Sequence, residues 1–199
     1  WLAELGFSDF AGSTLVHSTG GAAALAGIML LGSRYGRFDS KGEAKAIKPF
    51  AASSIPLVTV GVFILWLGWF GFNGGSQLAL GTFDDAVAIS TIFINTNLAA
   101  CGGVLAAATI TRLMYGKTDV IQMLNGCIGG LVAITAEPLM PSPLAAILIG
   151  AVGGVMAAAT VTRLNFGKTD VVQMLNGCIG GLVAITAEPL MPSPLASIL

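Results

Sequence analysis

The sequence predicts an all-α polytopic membrane protein, and three observations predict it. Hydrophobic residues make up 55% of the 199 and charged residues 10%, with a mean hydropathy of +0.86, whereas ordinary soluble chains carry roughly 25% charged residues. Six uncharged runs recur near residues 10–32, 50–72, 87–111, 120–136, 144–162 and 171–187. With those runs taken as spans, all nine Lys and Arg residues fall in alternate connections, the bias that sets membrane orientation.

The first run holds no charged side chain from Phe10 to Ser33 and contains His17, the one histidine of the chain. At about 1.5 Å per residue it covers the roughly 30 Å of a bilayer's hydrocarbon core. An ionisable ring at that depth is a functional-site candidate by default. Arg34, Arg37, Lys41, Lys45 and Lys48 come after it, Arg112 and Lys117 occupy the third connection, and Arg163 and Lys168 the fifth. The other connections carry Asp84 and Asp85, then Glu137, then Glu188. Residues 34–48 are therefore expected on the cytoplasmic side and residues 1–9 outside. The runs at 120–136 and 171–187 have about 17 residues, the lower edge of what crosses, and are expected to tilt little or to be broken.

Glycine marks the expected helix contacts: Gly126-x-x-Gly129-Gly130, Gly150-x-x-Gly153-Gly154, and Gly20-Gly21 among alanines. Lipid tails are as apolar as leucine, so helices in a bilayer associate by close backbone approach at small residues. Pro138, Pro141 and Pro143 end one run and lie in a connection, as residues that cannot continue a helix should. Cys101, Cys127 and Cys178 sit inside apolar runs without metal-ligand spacing and are expected to pack as small residues. Residues 102–148 and 153–199 align without gaps at an offset of 51 and differ at six positions, 105, 110, 114, 115, 121 and 146. Repeats inside transporters are normally weak. This one fits either a recent tandem duplication or a chimeric sequence. Beginning at Trp1 and ending at Leu199 within an apolar run, the chain reads as a piece of a longer polypeptide.

Three segments carry a resemblance: Asp9-Phe10-Ala11-Gly12-Ser13-Thr14-Leu15-Val16-His17, then Gly68-Trp69-Phe70-Gly71-Phe72-Asn73-Gly74-Gly75-Ser76, then Asn125-Gly126 with Gly130-Leu131-Val132-Ala133-Ile134-Thr135-Ala136-Glu137-Pro138. Together they resemble the Amt/Mep/Rh ammonium transporters, most closely the bacterial Amt branch, over about residues 1–157. The resemblance implies a partial ammonium-transporter-like bundle, about six transmembrane helices of an eleven-helix fold, with four helices missing upstream. It further implies one pore per subunit of a homotrimer in the cell inner (plasma) membrane, ammonium or ammonia as substrate, and a possible cytosolic regulatory protein. Residues 1–199 would then be one partial transporter domain.

By the same resemblance His17 matches the first of two pore histidines and Trp69 a pore-lining tryptophan. Phe72 matches one of two stacked phenylalanines closing the external mouth, and Ser76 a serine that hydrogen-bonds the ammonium ion outside that gate. Asp9 matches an aspartate that supports the recruitment site indirectly. The second histidine has no counterpart; Asn176, Gly177 and Cys178 fall near its expected place.

The chemistry suits these residue types. Ammonium and potassium are nearly equal in size, so selection needs an acceptor for an N–H, which a serine hydroxyl supplies, and an aromatic face, worth roughly 0.5–2 kcal/mol to a desolvating cation. The same residues have plainer readings: His17 bonding a backbone carbonyl, Trp69, Phe70 and Phe72 as an aromatic belt, Ser76 as a turn residue, Asp9 as a helix cap. Glu137 and Glu188 are expected to face water or cap a loop, and Asn125 and Asn176 to bond between helices. An ammonium-sensing membrane module is the alternative function. No nucleophile–base pair, metal-ligand cluster or phosphate loop is present, so neither an enzyme nor a cofactor is expected. Without a basic run interleaved with aromatics, nucleic acid is not an expected partner.

Overall fold

The computed structural model describes residues 1, 3–32 and 53–166. Among them all regular structure is helical: a 3-10 turn at Ala3–Leu5, a π-helical turn at Ser13–Ser18 that runs into α1 (Thr19–Leu31), then α2 (Ile55–Gly75), α3 (Phe83–Tyr115), α4 (Val120–Ile134) and α5 (Pro143–Phe166). Five of the six expected spans coincide with helices; the sixth, with Glu188, Cys178, Asn176 and most of the second repeat copy, lies outside the described residues, as do the basic residues 34–48.

Local chemistry fixes each boundary. Ser54 caps α2, its hydroxyl accepting from the Leu57 amide at 3.4 Å, with Pro56 in the first turn where it breaks no helical bond. α3 begins at Phe83, four residues before the uncharged run, because Thr82 and Asp85 form a reciprocal capping box. Asp84 and Asp85 belong to its first turn, where negative charge meets the positive end of the helix dipole. It ends at Gly116, whose φ of 71° is the left-handed conformation that stops a helix. Asp119 caps α4, accepting from Gln122 N at 3.2 Å, and Ser142 caps α5 through Ala145 N at 3.3 Å.

α4, with 15 residues, rises only about 22 Å and is shorter than the expected 120–136 span. Among the described residues three stretches are long and apolar enough to cross a membrane, Ser13–Leu31, Ile55–Gly75 and Phe83–Leu113. α4 is instead sheathed by protein: from Gly129 to Ile134 every residue is buried, because α3 and α5 clasp it through glycine. A Cβ on Gly126 would lie 2.6 Å from Gly103 O, and one on Gly129 would lie 2.6 Å from Gly153 O. Gly103, Gly130 and Gly154 are equally closed by neighbouring backbone. These contacts make the expected packing faces real on α4 and α5. Gly20 differs: nothing lies within 4 Å of it among the described residues, since α1 joins the bundle through Ser13–Ser18 and is exposed along most of its own length.

Cys127, 1% exposed, packs in the core with Val62, Ala100 and Leu131, as expected. Cys101 with Cys127 and Trp66 instead borders an apolar cavity of about 400 Å³ between α2, α3 and α4. Six residues before Cys101 on α3, buried Asn95 donates to Pro138 O at 2.9 Å and Pro141 O at 2.8 Å. The proline-rich connection between α4 and α5 is thereby pinned over the helix ends.

Candidate functional site

The site starts with Gly12. Its φ of 91° turns the chain into the first helix, and a Cβ there would meet Val16 Cγ2 at 2.8 Å, so the position suits glycine on both counts. Gly12 is the residue that caps the turn by position, but Asp9, three residues earlier, caps it by chemistry. Its carboxylate accepts from Ser13 N at 2.6 Å, Ser13 Oγ at 2.9 Å, Thr14 N at 3.1 Å and Leu15 N at 3.0 Å. Four donors at a helix start otherwise left unpaired are met by one anion. The helix opens there with a π turn, the His17 amide reaching back to Gly12 O at 3.4 Å. Such turns widen the helix locally and recur at functional positions.

From that turn His17 projects onto α2. Its imidazole stacks on Trp69 with ring centroids 5.5 Å apart and planes 9° apart, and meets the edge of Phe72 at 5.7 Å and 84°. Trp69 and Phe72 meet edge to face at 6.0 Å. Nδ1 of His17 is buried with no hydrogen bond of good geometry among the described residues; it lies beside the Trp69 face, and the Gly12 backbone is the group closest to pairing with the ring. The indole is itself fixed: Trp69 Nε1 donates to Thr135 Oγ1 at 2.8 Å, and that hydroxyl donates to Leu131 O at 2.8 Å. Thr135, 0% exposed, joins the site from the end of α4, and residues 66 apart leave no periodic trace by which sequence reading finds them.

Ser76 closes α2, donating its hydroxyl to Phe72 O at 2.8 Å. Its oxygen lone pairs stay available to an N–H donor, one turn beyond the Phe72 ring. Of the five expected residues, the structure brings His17, Trp69 and Phe72 into one aromatic group, sets Ser76 next to it along α2, and places Asp9 at the start of the helical turn that carries His17. Trp69 faces His17 and Thr135, while the Phe70 ring lies 5.4 Å from that of Phe93 on α3.

A family model described as Ammonium Transporter Family matches residues 1–166 and 151–199. The chain belongs to the ammonium transporter family. Its relatives within the family include the ammonium transporter Amt2 of Archaeoglobus fulgidus, 45% identical over 152 residues, covering 76% of this chain and 31% of that protein. A putative ammonium transporter of Synechocystis is 45% identical over 172 residues, covering 85% and 38%. Among solved structures, a sensor Amt protein superposes with a TM-score of 0.78 at 33% identity, covering 93% of this chain and 45% of that one. Mep2 of Saccharomyces cerevisiae does so with 0.76 at 28%, covering 94% and 40%. The chain thus spans about a third of the length of these curated family relatives, and its fold is a partial Amt/Mep bundle.

Proposed function

We propose that this chain is part of an ammonium transporter in which His17, Trp69 and Phe72 line the path of ammonium or ammonia. A charged ammonium ion in an apolar lumen is costly, so a path of this kind works by offering an aromatic face to the cation and a neutral imidazole to the species that enters. The observation that carries the reading is the His17 ring, stacked on Trp69 with Nδ1 making no hydrogen bond of good geometry among the described residues. Ser76 at the mouth accepts an N–H, which ammonium has and potassium lacks. Asp9 acts through the helix start, since its oxygens are occupied by four donors.

The residues 34–48 side is cytoplasmic by the distribution of Lys and Arg, the host membrane is the cell inner (plasma) membrane, and the complete protein assembles as a homotrimer open to a cytosolic regulator. Residues 102–148 and 153–199 form one tandem repeat within this domain. The role is transport without bond-breaking chemistry. The test uses the single histidine as a reporter: with the chain in lipid nanodiscs, ammonium shifts the imidazole 15N resonances of His17 and an equal concentration of potassium leaves them in place. Identical responses to both ions, or none to either, overturn the reading. The likeness to a solved sensor Amt protein supports sensing as the second reading, decided by whether the complete reading frame also encodes a signalling domain.

A further inference from the structure

α2 carries two polar anchors on one stripe, a turn apart. Trp69 reaches Thr135 at the end of α4, and Asn73, four residues on, enters the seam with α3, where its Nδ2 donates to Thr96 Oγ1 at 3.1 Å. Asn73 and Thr96 are both 0% exposed. Around this bond the last turn of α2 lies close on α3: the Phe70 ring packs against that of Phe93, and a Cβ on Gly74 would overlap the same Phe93 ring. Those contacts are apolar and tolerate sliding, whereas a hydrogen bond is directional and does not. Thr96 is itself steadied, because its neighbour Asn95 is tied to Pro138 O and Pro141 O. Oδ1 of Asn73 is buried with no hydrogen-bond partner among the described residues, and a buried carboxamide left with an unsatisfied oxygen contributes little net stability. The pair is therefore better explained by what it aligns than by what it stabilises.

The residues that this turn presents to the proposed path flank Asn73 in sequence. Phe72, one position before, sets its ring 5.7 Å from that of His17. Ser76, three positions after, donates its hydroxyl to Phe72 O at 2.8 Å and its amide to Asn73 O at 3.3 Å. We propose that Asn73, through Thr96, is a positioning residue for Phe72 and Ser76, setting the rotation of the last turn of α2 about its own axis. Successive helical residues stand about 100° apart, so with Asn73 held on α3 the Phe72 ring is turned toward His17; a slip of about 20° moves a side-chain tip by about 2 Å at the helix's outer radius of about 5–6 Å. Trp69 resists such a slip one turn earlier, and Asn73 resists it at the helix end that carries Ser76. The functional meaning rests on the proposed ammonium path, but the positional claim does not.

Thr96→Val removes the acceptor and strands the Asn73 amide, Thr96→Ser keeps a hydroxyl in its place, and Asn73→Leu combined with Thr96→Val removes both polar ends. In the 199-residue chain in nanodiscs, three readouts that need no ammonium are measured: proton cross-relaxation between the His17 imidazole and the Phe72 ring, the same between His17 and the Trp69 indole, and the thermal midpoint. Thr96→Val is expected to lower the midpoint and to weaken the His17–Phe72 signal several-fold, since cross-relaxation falls with the sixth power of distance, while the His17–Trp69 signal stays near wild type. Thr96→Ser is expected to match wild type in all three. The double variant is expected to recover the midpoint, because no polar group is left stranded, without recovering the His17–Phe72 signal, a separation that a merely structural pair does not produce. An unchanged His17–Phe72 signal in Thr96→Val overturns the proposal, and so does its recovery in the double variant or an equal loss of the His17–Trp69 signal. A chain that shows the expected pattern yet whose His17 resonances ignore ammonium refutes the transport reading alone.

Discussion

Thr135 joins two helices with one hydroxyl, accepting from Trp69 Nε1 and donating to Leu131 O. Thr135→Val keeps the shape and leaves the part-buried indole N–H without its acceptor, a loss of about 1 kcal/mol. A lowered midpoint in thermal unfolding of the detergent-solubilised chain is expected, together with a reduced Trp69 ring-current shift at His17, while Thr135→Ser retains both. Glu137 gives the pH dependence at this scale. Burial pushes its carboxyl up from the ordinary value near 4.5, against the Leu139 and Met140 amides and the Ser8 hydroxyl, which pull it down. The folded chain consequently holds this proton more tightly than the unfolded one. That contribution to stability is whole below about pH 4.5 and is lost as pH rises through the raised folded value. Stability measured from pH 4 upward is expected to fall in the wild type relative to Glu137→Gln, which cannot ionise there; parallel curves would contradict it.

At the scale of elements, the same substitution has opposite consequences on two helices. In α4, Gly129 faces Gly153 O and Ala157 Cβ, which an added Cβ would meet at 2.6 and 2.9 Å. Gly129→Ala is expected to force the α4–α5 seam apart and cost about 1–3 kcal/mol. In α2, nothing lies within 4 Å of Gly61 among the described residues, so Gly61→Ala is expected to gain up to about 1 kcal/mol from helix propensity. Thermal midpoints moving in opposite directions are the check. The seam was legible in the sequence because small residues at three- and four-residue spacing have one cheap use in a bilayer. The start of α3 was not, because an uncharged-run criterion treats Asp84 and Asp85 as flanks although a helix start welcomes them. His17, Trp69 and Phe72 were legible through their motifs. The π turn, Thr135 and the Asn73–Thr96 pair were not, since each depends on backbone geometry or on partners far away along the chain.

At the scale of the whole molecule the question is whether these residues enclose a path. Every aromatic ring found against His17 belongs to α2, and α1 beyond the π turn exposes Met29 at 70% and Leu30 at 88%, so the ring has walls on one side among the described residues. A conducting path through lipid needs its polar guest shielded all round, because a partly open groove leaves ammonium against acyl chains at a cost of several kcal/mol. The relatives are much longer, this chain covering 31% and 38% of two of them, and that further length is where other walls can come from. In proteoliposomes the 199-residue chain is therefore expected to show no selective ammonium uptake over empty vesicles, even where the His17 resonances respond to ammonium. Selective flux by these residues alone would mean that the described helices, or copies of them brought together, already close the path, and the partial-bundle account of the chain would fail.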